Sequence, residues 1–217
     1  MKWARAFYHA CRYLATRDVQ ARSLYRWYAG AGEARRFRYP FDSASVVIDG
    51  GGFRGDFAAG VLSSGVGRVL IFEPIPAFQE ILRARFEADG RVEVIPLGLA
   101  GRDGRALFAE AGEASGALGR GPTTEVKLID LYPFLQAHGI EDVQLLKLNI
   151  EGGEYDVLEG LLRHGRVIHF RFLAIQFHRQ AADSVARRDA IRAALSATHE
   201  EMWNFPWVWE SWKRREP

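Results

Sequence analysis

Two clusters of polar residues stand at the carboxyl ends of apolar runs, and their types can do chemistry. In the first, Val46-Val47-Ile48 runs into Asp49-Gly50-Gly51-Gly52-Phe53-Arg54-Gly55-Asp56. In the second, Leu145-Leu146-Lys147-Leu148 runs into Asn149-Ile150-Glu151-Gly152-Gly153-Glu154-Tyr155. A buried strand that opens through glycines into a helix is where open α/β sheets bind ligands. Glycines let a backbone approach the ligand closely, and carboxylates, amides and imidazoles orient it or move protons. Two further strand ends add to the set: Glu73-Pro74 after Val69–Phe72, and His178 after Phe172–Phe177.

The first cluster fits two ligands. Gly50-Gly51-Gly52-Phe53-Arg54-Gly55 satisfies G-x-G-x-x-G, and Glu73 lies 23 residues beyond Gly50, near the spacing of a ribose-binding acid. In a dinucleotide site, however, a pyrophosphate sits over this turn. Asp49 would bring a like charge close to it at low dielectric. S-adenosylmethionine has no phosphate and carries an α-ammonium group and a sulfonium. Asp49, with Asp56 a turn later, suits that cationic moiety, and Glu73 can accept from both ribose hydroxyls. S-adenosylmethionine is therefore favoured over NAD, and over a turn made only for packing. Asp56 also has a local reading as a charge on the first turn of a helix.

These residues need a scaffold, and the rest of the chain describes one. Apolar runs Val46–Ile48, Val69–Phe72, Val92–Ile95, Val143–Leu148 and Phe172–Phe177 read as buried parallel strands. Helical patterns alternate with them at Phe57–Ser63, Ala77–Ala88, Leu128–His138 (with Pro133 inside), Glu154–Arg163 and Ser184–Thr198. Strand alternating with helix argues a parallel sheet with right-handed crossovers. The Gly- and charge-rich stretch Gly101–Thr124 reads as a hairpin or loop. Near the end, two aromatic runs flank Asn204-Phe205-Pro206, which reads as a terminal β-hairpin. A parallel sheet finished by a hairpin matches a seven-stranded methyltransferase better than a six-stranded dinucleotide fold.

Residues 3 to about 28 read as a helical preface. Trp3, Phe7, Ala10, Cys11 and Leu14 share one helical face, and Arg5, Arg12, Arg22 and Arg26 supply the wet side. That face is expected to pack on the main domain; a lid, or arginines serving an anionic partner, are the other readings. The chain of 217 residues is long enough for one well-buried domain, so the division expected is a helical extension over 1–40 and a cofactor-binding domain over 41–217. A net charge of +2 makes no global demand for nucleic acid or an anionic membrane. One cysteine excludes an intrachain disulfide and a cysteine zinc site, and no metal is expected. Charges at Arg5, Arg12, Arg17 and Asp18 interrupt any secretory leader, and no apolar run is long enough to span a bilayer. A cytoplasmic protein is expected.

The combined pattern resembles the FkbM family of S-adenosylmethionine-dependent methyltransferases. The pieces that carry the resemblance are Ile48–Asp56, Phe72-Glu73-Pro74-Ile75-Pro76, Leu128-Ile129-Asp130, Lys147–Glu154 and Gln176-Phe177-His178, in order across residues 45–178. The resemblance implies a class I methyltransferase (Rossmann-like) α/β fold, a three-layer sandwich whose mostly parallel seven-stranded sheet ends in an antiparallel hairpin. It also implies O-methylation of a hydroxyl on a sugar, glycan or secondary metabolite. The sequence departs from the family at Asn149, where Asp is usual, and at Gln176, where Glu is common. Asn149 can hydrogen-bond a cofactor but cannot act as a base, which leaves a weakly catalytic binding module as an alternative, with an NAD-dependent oxidoreductase behind it.

The expected cofactor set is Asp49, Gly50, Gly51, Phe53, Gly55, Asp56, Glu73, Pro74, Leu99 and Asn149. Transfer to a hydroxyl needs a general base. His178 is the leading candidate and Glu151 the second, while Lys147 is expected to pair with Glu151 or Glu154. His138, His164 and His199 read as surface residues. The expected partner is a small-molecule or glycan hydroxyl acceptor, without nucleic acid or membrane span; a homodimer is left open.

Overall fold

The computed structural model describes residues 2–109 and 123–216. Its main sheet has seven strands: β1 (Val46–Gly50), β2 (Arg68–Phe72), β3 (Val92–Ile95), β7 (Val143–Leu148), β8 (Phe170–Ile175), β9 (His199–Phe205) and β10 (Trp209–Arg214). Their order is β3-β2-β1-β7-β8-β10-β9. β3, β2, β1, β7 and β8 pair in parallel, and β10 runs antiparallel to both β8 and β9. The chain builds outward from β1 through β2 to β3, then returns to the other side of β1 with β7. A crevice opens at that reversal, beyond the carboxyl ends of β1 and β7.

Helices cover both faces. They are α4 (Asp56–Leu62), α5 (Pro76–Phe86), α6 (Leu131–Ala137), α7 (Glu154–Arg163) and α8 (Ser184–Leu195). One core layer gathers Ile48, Leu70, Phe72, Leu146, Leu148, Leu158 and Phe170, and the other Val47, Val69, Ile71, Leu145, Ala58 and Val61. Consecutive strand residues thus feed opposite layers, which is why these strands read as continuous apolar runs.

Two local expectations change. Leu128–Asp130 is not helical. It ends β6 (Thr123–Asp130), the middle strand of a second sheet in which β4 (Gly98–Ala100) pairs with it in parallel and β5 (Gly104–Ala109) antiparallel. The helix begins only at Leu131, where the Asp130 carboxylate accepts from Tyr132 N–H at 3.1 Å. Pro133 then falls in the first turn, whose N–H groups need no partner within the helix. The hairpin reading of Gly101–Thr124 applies to the β5–β6 pair; its residues 110–122 lie outside those described. His199 is buried within β9, its ring bonded to Phe170 O at 3.0 Å and Thr198 Oγ1 at 2.9 Å, and burial lowers its pKa.

The preface is two helices, α1 (Lys2–Thr16) and α2 (Val19–Ala29), followed by a short α3 (Gly32–Arg35). Arg17 takes a left-handed φ of 56°, and Asp18 caps α2 by accepting from Gln20 N–H at 2.9 Å. α2 anchors through Trp27, which lies edge-on to Phe205 with ring centroids 5.2 Å apart. The face of α1 expected to be buried is not: Trp3 is 77% exposed, Phe7 72% and Leu14 66%. Ala6 is the residue that α1 buries.

Candidate active site

Parallel pairing puts Asp49 of β1 directly beside Lys147 of β7. Both side chains are buried, and Lys147 Nζ lies 2.7 Å from Asp49 Oδ1. The ammonium group also donates to Gly50 O at 3.1 Å and Gly51 O at 2.8 Å. Lys147 therefore pairs with Asp49, and not with Glu151 or Glu154, because only Asp49 shares its rung of the sheet. The pair neutralises two charges that would each be severely destabilising if buried alone.

Above this pair the β1–α4 turn is backbone. Gly51 has φ 82°, and a Cβ there would sit 2.1 Å from Asn149 O. Only glycine allows the two strand-end loops to lie this close. Phe53 follows in the left-handed region at φ 49°, its N–H donating to Glu73 Oε2 at 2.8 Å. Glu73, at the end of β2, accepts at its other oxygen from Ile75 N–H at 2.9 Å. It is 4% exposed; burial raises its pKa, while its two backbone bonds and Lys147 pull the other way.

The β7–α7 turn is the opposite in kind. Glu151 is left-handed at φ 51°, and its carboxylate lies 3.3 Å from His178 Nε2. Glu154, fully buried, lies 3.1 Å from His178 Nδ1 and accepts from His178 N–H at 2.6 Å and Gly152 N–H at 2.9 Å. Burial pulls the His178 imidazole down, but the hydrogen bonds and charges of Glu151 and Glu154 outweigh it and leave its pKa raised to about 9. At neutral pH the ring is an imidazolium between two carboxylates. Tyr155 locks the same segment by donating its hydroxyl to His178 O at 2.8 Å.

A cavity of about 610 Å³ joins these parts, within the size range of small-molecule sites. Of the residues expected from the sequence, Gly51, Phe53, Glu73, Pro74, Leu99, Asn149, Glu151 and His178 line it. Asp49, Gly50, Gly55 and Asp56 do not. Asp49 lies beneath the turn, held by Lys147. Gly50 is the last residue of β1, and Gly55 packs against Leu82 and Phe86. Asp56 points to solvent, 83% exposed, and binds Arg85 at 2.6 Å. Sequence reasoning missed Phe78 and Arg187, which also line the cavity. Phe78 meets Phe53 edge-on with ring centroids 4.6 Å apart, and its position on the first turn after Glu73-Pro74 was an available signal. Arg187 binds Asp156 at 2.6 Å and Glu159 at 2.8 Å, contacts that no local pattern announces. One polar atom on the wall stands out: Asn149 Oδ1 is buried with no hydrogen-bond partner.

The model of the methyltransferase FkbM domain matches residues 49–205. Among solved structures, the chain is similar to a methyltransferase FkbM from Methylobacillus flagellatus KT, with a TM-score of 0.56 and 16% identity. That alignment covers 90% of this chain and 55% of the other, so this chain spans little more than half its length. It is also similar to a putative rRNA-methylase from Clostridium thermocellum, with a TM-score of 0.52 and 10% identity over 87% of this chain and 96% of that one. A putative methyltransferase from Streptococcus mutans in complex with SAH aligns with a TM-score of 0.49 and 11% identity, covering 86% and 97%. For the first two, at such identities, the likeness is one of fold. No curated protein matches the chain.

Proposed function

The chain belongs to the FkbM methyltransferase family, and from that premise we propose that it transfers a methyl group from S-adenosyl-L-methionine to a hydroxyl of a sugar, glycan or secondary metabolite. The observation that carries this reading is the division of one cavity between a backbone cradle with a ribose-type carboxylate and a carboxylate–imidazolium group.

The residues fit the cofactor. Glu73 has one hydrogen bond on each oxygen and keeps a second lone pair on each for ribose hydroxyls. The orphaned Asn149 Oδ1 is an acceptor suited to an α-ammonium group. Gly51 keeps the wall low, and Leu99, Pro74, Phe53 and Phe78 offer apolar surface to an aromatic base. Asp49 acts through Lys147 to hold the turn. When bound, the cofactor supplies a methyl group already activated by its sulfonium.

The chain's own task is to orient the acceptor oxygen, exclude water and remove one proton. His178, protonated at neutral pH, has no free lone pair to take it. Glu151 is therefore the general base in this reading. His178 holds the Glu151 carboxylate in place, and buried Glu154, at its Nδ1, fixes the ring plane. An adjoining depression at Arg102, Arg105 and Arg163 shares Ala100, Leu128 and Asp156 with the cavity, which gives a longer acceptor a way outward.

The test is methyl transfer from labelled S-adenosylmethionine to a panel of hydroxylated sugars and metabolites, followed by calorimetry. Glu151→Gln is expected to lower kcat about 100-fold or more while cofactor affinity holds. Glu73→Ala is expected to weaken cofactor binding about 100-fold, since a buried multi-bond acceptor is lost. Tight cofactor binding without transfer to any hydroxyl would return the chain to a binding module. Transfer that survives Glu151→Gln would remove Glu151 as the base.

A further inference from the structure

The net charge of +2 hides an uneven distribution. Residues 1–38 hold nine Lys and Arg against two acidic residues, a net +7, while residues 39–217 hold 20 against 25, a net −5. Among the described residues, only Arg12 and Arg36 of those nine basic side chains are in ion pairs, with Asp18 and Glu33. No acidic residue precedes Asp18.

The same segment carries the apolar surface that the fold does not use. Trp3, Phe7 and Leu14 are spaced i, i+4 and i+11, within about 40° of one another around α1 at 100° per residue. All three are exposed. Tyr8 is exposed on another face of α1, and the Cys11 thiol is free on the same helix. α1 packs on α2 through Ala6, while α2 is fixed to the sheet through Trp27. The stripe is therefore presented by a helix whose support is anchored. No described helix is long and apolar enough to cross a membrane.

We propose that the α1–α2 hairpin docks the protein on the surface of an anionic lipid bilayer, with Trp3, Phe7 and Leu14 entering the headgroup–acyl boundary and Lys2, Arg5, Arg17, Arg22 and Arg26 meeting lipid phosphates. An amphipathic helix rich in basic residues, with Trp, Phe and Leu on its other face, lies in that interface. Two competing occupants satisfy one half of the surface each. A nucleic acid would meet the charge but offers no apolar phase to Leu14. A second copy would cover the stripe but would bring two +7 surfaces together.

The experiment is sedimentation of the full chain with vesicles of phosphatidylcholine alone and of phosphatidylcholine mixed with phosphatidylglycerol. Binding is expected only to the mixed vesicles, and it should weaken as salt screens the charges. Trp3→Ser/Phe7→Ser/Leu14→Ser is expected to lower partitioning by more than about tenfold, since it removes the inserted apolar groups. S-adenosylmethionine affinity, measured on the same variant, should be unchanged, which reports folding. If the cofactor does not bind either protein, circular dichroism takes its place, so the docking result stands apart from the methyltransferase reading. Absence of binding to the mixed vesicles overturns the proposal. So does binding that survives the triple substitution, tighter binding to an RNA oligonucleotide that is unaffected by it, or self-association through the stripe without vesicle binding.

Discussion

The turn after β1 and the turn after β7 lie side by side on neighbouring parallel strands, yet they use their charges in opposite ways. In the first, the carboxylate of Asp49 is buried, matched by Lys147 and kept out of the cavity. What it presents to a ligand is peptide backbone and the uncharged ring of Phe53. In the second, Glu151 and buried Glu154 enclose His178, and Glu151 and His178 present polar side chains at the wall. Each turn also holds one non-glycine residue in left-handed backbone, Phe53 and Glu151. Such strain persists where the surroundings over-determine it, and it marks both turns as built rather than incidental. A site for group transfer needs this division. One side must hold a cofactor without reacting, and the other must hold a proton acceptor at a fixed position.

The sharpest way to break this contrast is to unpair the first turn. Lys147→Met leaves Asp49 as a buried, uncompensated carboxylate, and is expected to lower unfolding free energy by about 3–5 kcal/mol. Urea denaturation checks this, and adding Asp49→Asn to Lys147→Met should recover much of the loss. A loss under about 1 kcal/mol would mean that the pair is not the neutral foundation described.

The second turn should make stability respond to pH through His178. The His178 pKa is raised from the ordinary 6.5 to about 9, so the folded state holds its proton more tightly than the unfolded chain. Its stabilisation is full below pH 6.5 and is lost as pH rises to about 9. Melting temperature is expected to fall across that window in the native protein and to fall less in His178→Gln. Parallel slopes in the two proteins would place the titration elsewhere.

The smallest effect expected is at the seam between the turns. Asn149→Asp gives the unpartnered acceptor a negative charge. It should tighten S-adenosylmethionine binding about fivefold, the ~1 kcal/mol by which a charged hydrogen bond exceeds a neutral one. Calorimetry showing unchanged or weaker binding would move the ammonium contact away from this residue.

Much of the scaffold was legible because its signals are local. Glu154–Arg163 and Val143–Leu148 have the bounds their sequence patterns predict, since glycines and apolar runs delimit them. Leu128–Asp130 was misread because Leu128, Ile129, Leu131 and Leu135 mimic a helical spacing, whereas pairing with β4 and β5 draws the first of them into a strand. Asp56 drew a cofactor role from its place beside a glycine turn, but helix direction turns its carboxylate toward Arg85. The stripe of Trp3, Phe7 and Leu14 was read as a packing face because periodicity reports amphipathicity without saying what lies opposite.

The sequence by itself determined the order of strand ends, the glycines that let two loops touch, the set of polar residues gathered there and the family they resemble. Each follows from a residue type and its immediate neighbours. Only the tertiary structure decided that Asp49 meets Lys147, 98 residues away, and that His178 sits between two glutamates that raise its pKa to about 9. Pairing and protonation depend on burial and on charges brought from distant parts of the chain, and both are set by the fold.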